Sequence, residues 1–429
     1  MSSIPADPTP TAPHDPGAAP PHAVAAQSPD KARIAAAVAA AAEEILTLSH
    51  AVHRDPEPAF EEHHAAALVA DAVARHGYAV ERPAGSLETA VRGRLTGGRG
   101  PDGPRIAVLA EYDALPGLGH GCGHNTMAAS GVGAAIALAA VRDLWAGEVV
   151  FLGTPAEERG SGKQILIDDG LFAGVDAALL YHPCDRDHVE IAPLASEDVE
   201  IVFHGLAAHA ASDPWAGRNA LDAMVLLFSS VGLWRQQLPP HARVHGIIRE
   251  GGTAANIIPE RTSAWFMIRS ADRDHYETMR DRFRAMCEAA ATATGTTVDV
   301  AFSGRADTMR NDPLLADLWR ANAAAFGIED EGLDPSSGST DMANVSWICP
   351  TIHPELSIAP AGTPGHSIAF RDAAASPKAD RTTLLAATLV AQTAFDLLAD
   401  PTLVAAAWRD FRAGRDASGA GAGGSTSGR

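Results

Sequence analysis

The stretch EYDALPGLGHGCGHN, residues 111–125, sets Glu111, Asp113, His120, Cys122 and His124 among four glycines. Cysteine and histidine are good ligands for borderline metals such as zinc. Glycines let a backbone fold tightly enough for such side chains to converge. A glycine-rich turn with incidental histidines is the competing reading of this segment alone. In TPAEE, Glu157 and Glu158 are adjacent, so their carboxylates point in different directions. One can ligate a metal while the other reaches an attacking water as general base. His182 in YHP and His366 in GTPGHS are ordinary when taken singly. Together, Cys122, His124, Glu158, His182 and His366 offer five ligands from four loops. That set suits two metal ions sharing a bridging group better than one tetrahedral ion.

Other chemistries lose support. GLGHGCGHN fails G-x-G-x-x-G because Cys122 stands where the third glycine belongs. RGSGKQ resembles a P-loop ending, but Glu157 occupies the first glycine position and Gln164 replaces Ser/Thr. Neither a G-x-S-x-G elbow nor an H-E-x-x-H helix is present. A dehydrogenase, a nucleotide hydrolase and a serine hydrolase are therefore disfavoured.

The elements around these residues explain how they could meet. PRIAVLAEYD, GEVVFLGTPAEE and VDAALLYHP are short apolar runs with polar C-terminal ends, as buried strands would be. ARIAAAVAAAAEEILTLSHAVHRD, EEHHAAALVADAVARHGY and residues 127–144 have helical composition; Ala65, Leu68, Val69 and Ala72 share one helical face, and Gly77 is a C-cap candidate. Strands alternating with helices predict an α/β fold with a mixed, mostly parallel sheet covered by helices. Ligands bind at the C-terminal edge of such sheets, which is where the candidate residues fall. Near Ser196 the pattern becomes strand-helix-strand-strand-helix-strand, a ferredoxin-like plan. The expected organisation is a Pro/Ala-rich disordered leader over 1–30, a catalytic domain from 31–195 and 306–412, an inserted α+β domain over 196–305, and a Gly/Ser-rich tail over 413–429.

Composition narrows the partners. With 33 Lys+Arg against 53 Asp+Glu the formal charge is −20, which counts against gripping nucleic acid or an anionic membrane surface. No run of 18 apolar residues marks a bilayer span. Four cysteines are too few for a disulfide framework. With no secretory signal at the N-terminus, the expected location is cytoplasmic.

In order, HRDPEPAFEE, EYDALPGLGHGCGHN, TPAEE, YHP, HAA, NIIP and GHS resemble the dinuclear metallopeptidase family of aminoacylases, carboxypeptidases and auxin-conjugate amidohydrolases. HGLAAHAASDPWAGRNALDA and GSTDMANVSWICPTIHP are most similar to its aminobenzoyl-glutamate hydrolase and β-alanyl-lysine dipeptidase branch. The resemblance spans roughly His53 to Ala375. It implies two divalent metal ions, zinc, manganese or cobalt, bridged by Cys122. His124 and His182 would complete one site, Glu158 and His366 the other. Glu157 would be the general base and Asp113 the carboxylate that orients a ligand. His209 would reach the partner subunit's site to stabilise the oxyanion, making the insert a dimerisation (lid) domain of a homodimer. Asn256 and Arg269 would bind the substrate's carboxylate, for which a guanidinium fork is suited. Glu111 is not expected to be a ligand, and Asn125 stands where auxin-conjugate hydrolases have Asp.

The expected activity is hydrolysis of the amide bond of an N-acyl or N-aroyl amino acid, or of an unusual dipeptide. The alternatives are a ureido substrate, a broader carboxypeptidase, and a metal-binding homologue without catalysis.

Overall fold

A computed structural model describes residues 28–334 and 338–420. The strands are β1 (Ala79–Glu81), β2 (Val91–Thr96), β3 (Arg105–Glu111), β4 (Glu148–Thr154), β5 (Ala177–Leu179), β6 (His182–Cys184), β7 (Ala195–His204), β8 (Ala242–Glu250), β9 (Arg261–Ser270), β10 (Thr297–Ala306), β11 (Thr351–Ile352) and β12 (Glu355–Ser357). Helices α1 (Pro29–Ala40), α2 (Ala42–Arg54), α3 (His63–Arg75), α4 (His124–Ala140) and α5 (Gly162–Asp168) belong to the first part of the chain. α6 (Ala220–Trp234) and α7 (Arg273–Thr294) follow, then α8 (Pro313–Ala324), α9 (Met342–Val345), α10 (Ile368–Ala373), α11 (Pro377–Ala399) and α12 (Pro401–Ala420).

The main sheet has the order β1-β2-β4-β3-β5-β11. β3 pairs in parallel with β4 and β5, and β5 with β11, while β1 and β2 form an antiparallel edge. β3 and β4 are buried beyond their first residues and apolar between their ends, as strands covered by helices on both faces are. β2 alternates buried Val91, Gly93 and Leu95 with more exposed partners. α4 is buried on nearly every side, and its small residues let it lie close to the sheet. A Cβ on Gly131 would come 2.4 Å from the Leu109 carbonyl oxygen. α11 is long and apolar enough by composition to cross a membrane, yet most of it is buried in this core.

β7, β8, β9 and β10 form a second, wholly antiparallel sheet of order β10-β7-β9-β8. With α6 and α7 in the connections, this is the ferredoxin-like βαββαβ unit. Its core is its own, built on Phe203, Phe266, Phe283, Met224 and Tyr276. A two-stranded pair, β12 with β6, extends the C-terminal side of the main sheet.

Three sequence expectations change. The expected leader over 1–30 overlaps α1, which starts at Pro29 with Ser28 accepting from the Lys31 amide; residues 1–27 lie outside the described residues. Lys31 is buried between Asp396 and Asn322, which pins this start to α11 and α8. The single helix expected over 32–55 bends by 55° at Ala41. The bend lets Ile34 and Val38 on one piece and Ile45, Leu48 and Val52 on the other all reach the core. The tail expected from 413 is helical as far as Ala420, continuing past Phe411, whose carbonyl accepts from Arg310; residues 421–429 lie outside the described residues.

Candidate metal centre

β3, β4 and β5 end side by side, and each hands its next residues to one place. The β3–α4 turn reverses at Gly123, whose φ is +76°. A Cβ there would come 2.7 Å from the Pro183 ring, so glycine serves both the left-handed backbone and the close approach. His124 is thereby the first residue of α4, with its ring in the interior. Its Nδ1 donates to the Asp113 carbonyl (2.9 Å) and carboxylate (3.1 Å), which leaves Nε2 as the lone-pair nitrogen. The other Asp113 oxygen accepts from the Glu158 amide at 2.9 Å. One carboxylate therefore orients both His124 and the β4 loop.

That loop is held from a second side. Ala156 has a left-handed φ of +60°, a strained conformation for a non-glycine residue. Its amide donates to Glu62 at 2.8 Å, and Glu62 also accepts from Thr89. Glu157 and Glu158 follow and diverge. Glu157 lies 3.9 Å from His124 Nε2, and Glu158 reaches His366 Nε2 at 3.4 Å. His366, in a left-handed conformation with its amide on the Gly121 carbonyl, is more than half exposed.

The thiol of Cys122 joins two groups of converging donors. With His124 and His182 it forms one, and with Glu158 and His366 the other; within each, the ligand atoms all lie within 4.8 Å of one another. Cys122 Sγ is 3.6 Å from His182 Nε2. These residues could hold two divalent ions with the sulfur shared. The fit is supported by His124 Nε2, His182 Nδ1 and Glu158 Oε1, which are buried without hydrogen-bond partners among the described residues. Such groups are costly to leave unpaired.

The electrostatics follow from that crowding. Burial, then Glu158, raises the Cys122 thiol, so a thiolate there needs a cation beside it. Burial opposes charge on His124, but the Asp113 bond and the neighbouring Cys122 raise it well above the ordinary range. Burial, then His353, lowers His182 to about 3, leaving a neutral ring suited to ligation. Burial, then Glu111 and Glu158, holds Glu157 well above the usual carboxylate range.

A cavity of about 410 Å³ opens over the cluster, walled on one side by Cys122, Glu157, Glu158, His182 and His366. The second sheet supplies Ser196, Asp198, Met267 and Arg269. Arg269 thus faces the cluster, but His209 and Asn256 do not line this cavity. They sit together on an exposed rim of the second unit, where Ala210 donates to the Asn256 carbonyl. The Asn125 side chain donates to Ser49 and the Ala374 carbonyl, tying the start of α4 to neighbouring segments.

Four buried residues are not foreseen from the sequence. Lys163, at the start of α5, is fully buried between Glu111 and Asp341, 2.5 Å from the latter. Glu111 is thereby engaged by a cation of the chain, although its other oxygen lies 3.6 Å from His124 Nε2. His353 packs edge-on against His182, with Nδ1 on the Leu180 carbonyl. Glu62 closes the motif HRDPEPAFEE, where nothing distinguishes it from the glutamate before it. Lys163 stands in the segment that fails as a P-loop, and no local signal marks it as a buried charge.

Most of the chain is similar to known proteins. The model of peptidase family M20/M25/M40 matches residues 107–388. The human Xaa-Arg dipeptidase is 38% identical over 411 residues, covering 89% of this chain and 92% of that protein. A p-aminobenzoyl-glutamate hydrolase chain of Escherichia coli K12 is 35% identical over 268 residues, 58% of this chain and 55% of that one. Among solved structures, a putative aminohydrolase from methicillin-resistant Staphylococcus aureus superposes with a TM-score of 0.72 at 19% identity, covering 86% of this chain and all of that one. A dinuclear metal-binding peptidase of the M20 family from Bacillus subtilis gives 0.63 at 21% identity, over 84% and 99%.

Proposed function

The chain belongs to peptidase family M20/M25/M40 and is a metallo-hydrolase, and from that premise we propose that it cleaves the amide bond of dipeptides or N-acyl amino acids with Glu157 as general base. The observation that carries this reading is the convergence of two donor groups on one sulfur with Glu157 beside them. Cys122, His124 and His182 would hold one ion, and Cys122, Glu158 and His366 the other. When bound, the ions supply Lewis acidity toward the scissile carbonyl and lower the pKa of a water. Glu157 takes the proton of that water at its carboxylate and returns it to the leaving nitrogen. Asp113 keeps His124 Nε2 and the Glu158 backbone aimed inward. Arg269 pairs with the substrate's carboxylate from the opposite wall.

The match over nearly the full length of an Xaa-Arg dipeptidase favours dipeptides with a basic C-terminal residue as the first substrates to try. Aminobenzoyl-glutamate and N-acetyl amino acids come next in the panel. Glu157→Gln is expected to keep fold and metal content and to lower kcat by about 10²–10⁴-fold, the usual weight of a general base. Turnover near the wild-type value in that variant overturns the assignment.

The proposal extends to a homodimer through the second unit. α6 exposes Val225, Leu226 and Leu233, and the edge strand β8 exposes Ile247 and Ile248. Apolar side chains beside an open strand edge suit a second copy of the chain. His209 Nδ1 accepts from the Ala211 and Ser212 amides, so the proton of the neutral ring sits on Nε2, facing outward as a donor for an oxyanion. The four cysteines are free thiols, which supports a reducing, cytoplasmic setting. Zinc, manganese and cobalt all suit the donors, and metal supply would decide among them.

A further inference from the structure

We propose that the chain holds a further divalent cation, separate from the Cys122 centre, on His188, Asp334 and Glu355. The three residues come from distant segments: the turn after β6, the segment after α8, and the start of β12. The fold brings them together through backbone pairing. The His188 amide donates to the Glu355 carbonyl at 3.1 Å, and the Glu355 amide donates back at 2.7 Å. The Asp334 amide donates to Glu190, and Ala192 donates to Asp334. One ligand atom from each side chain lies within 4.8 Å of the other two. None of the three belongs to the donor groups around Cys122.

His188 and Glu355 are poised in a way that an ordinary ion pair does not require. His188 is 9% exposed, and its Nδ1 donates to the Gly332 carbonyl at 2.8 Å. A carbonyl can only accept, so the neutral ring keeps its lone pair on Nε2. Fixing the tautomer of a ligating histidine through its other nitrogen is a recurrent feature of metal sites. Glu355 is 6% exposed, and its Oε2 is buried with no hydrogen-bond partner among the described residues. No ion pair within 4.0 Å joins His188 to Glu355 among the described residues, so the imidazole does not neutralise that carboxylate directly.

A cation among the three would satisfy the orphaned oxygen and the lone pair together. One imidazole nitrogen with two carboxylates suits a first-row divalent ion such as Mn²⁺ or Zn²⁺ better than calcium, which prefers oxygen alone. The Cys184 thiol lies beside the Glu355 carboxylate as a further soft neighbour. A cavity of about 310 Å³, lined by His188 and Glu355 with Trp319 and Asp330, leaves room for waters to complete the coordination. The ion would tie the three segments behind the wall of the main cavity, which Glu355 also lines.

The test uses the full chain loaded with Mn²⁺ and then freed of unbound metal. Wild type is expected to retain one equivalent per chain more than Glu355→Gln and His188→Gln, whatever the Cys122 centre holds. In wild-type crystals grown with Mn²⁺, an anomalous peak is expected within coordination distance of all three ligand atoms. Equal metal content in wild type and both variants, or peaks confined to the Cys122 centre, overturns the proposal. Should a variant fail to fold by circular dichroism, the wild-type anomalous map decides alone: a peak at the three residues upholds the site, and its absence rejects it.

Discussion

Glu62 shows how much a single buried carboxylate can decide. It holds the strained Ala156 amide and the Thr89 hydroxyl, and so sets the direction in which Glu157 and Glu158 leave β4. Burial above all pushes it up to about 7. In the unfolded chain the group loses its proton near 4.5, while in the folded chain it keeps it to about 7. The folded state therefore binds more protons across that window, and this residue's contribution to stability falls as pH rises from 4.5 to 7. The amplitude is on the order of 3 kcal/mol. Glu62→Gln can keep the bond to Ala156 through its amide oxygen and removes the titration. Urea midpoints should fall more steeply between pH 4.5 and about 7 for wild type than for Glu62→Gln; parallel profiles would refute the account. The metal-ligating candidates were legible because their side chains announce their own chemistry within short glycine-marked motifs. Glu62, Lys163 and Asp341 were not, because a buried charge is explained only by partners far away in sequence, as Lys163 is by Glu111 and Asp341.

Among the elements, α4 is the one on which the centre depends. Its first residue is His124, and the turn before it is fixed by Gly123. Gly123→Ala adds a Cβ in a left-handed backbone, which costs roughly 1–2 kcal/mol, and sets that carbon against Pro183. The expected outcome is a loss of about 1–3 kcal/mol in stability with a larger proportional loss of metal affinity, because His124 and Cys122 flank the shifted residue. Chemical denaturation alongside a metal titration separates the two effects; unchanged metal affinity would mean that the turn tolerates the methyl group. The parallel strands β3, β4 and β5 could be read from their apolar runs. The break at Ala41 could not, since neither proline nor glycine marks it and only the core explains the bend.

For the whole molecule, the arrangement of sites between two copies is the property to test. His209 and Asn256 lie on the rim of the second unit, away from the cluster of their own chain. If His209 serves the partner's centre, Glu157→Gln and His209→Ala should each be poorly active alone but complement each other when mixed. A heterodimer then contains one centre with both groups intact. Random reassociation of equal amounts should restore about a quarter of wild-type turnover. No gain on mixing, in subunits shown to exchange, would place His209 in its own chain's site. The ferredoxin-like unit was visible in the sequence as a change of strand and helix order. Its relation to the centre was carried only by the family resemblance, because the order of elements does not say which surfaces meet.

The division of the donors along the chain also has a consequence for biosynthesis. Cys122, His124, Glu158 and His182 precede the second unit, whereas His366, together with strands β11 and β12, follows it. At a synthesis rate of about 5–20 residues per second, the interval between His182 and His366 lasts roughly 10–40 s. During that time the second unit, with a core of its own, can fold on the ribosome while the main sheet still lacks its edge. If the five proposed donors hold the metals, loading of the complete centre is a late event, set by the emergence of the C-terminal third rather than by the motifs that come first.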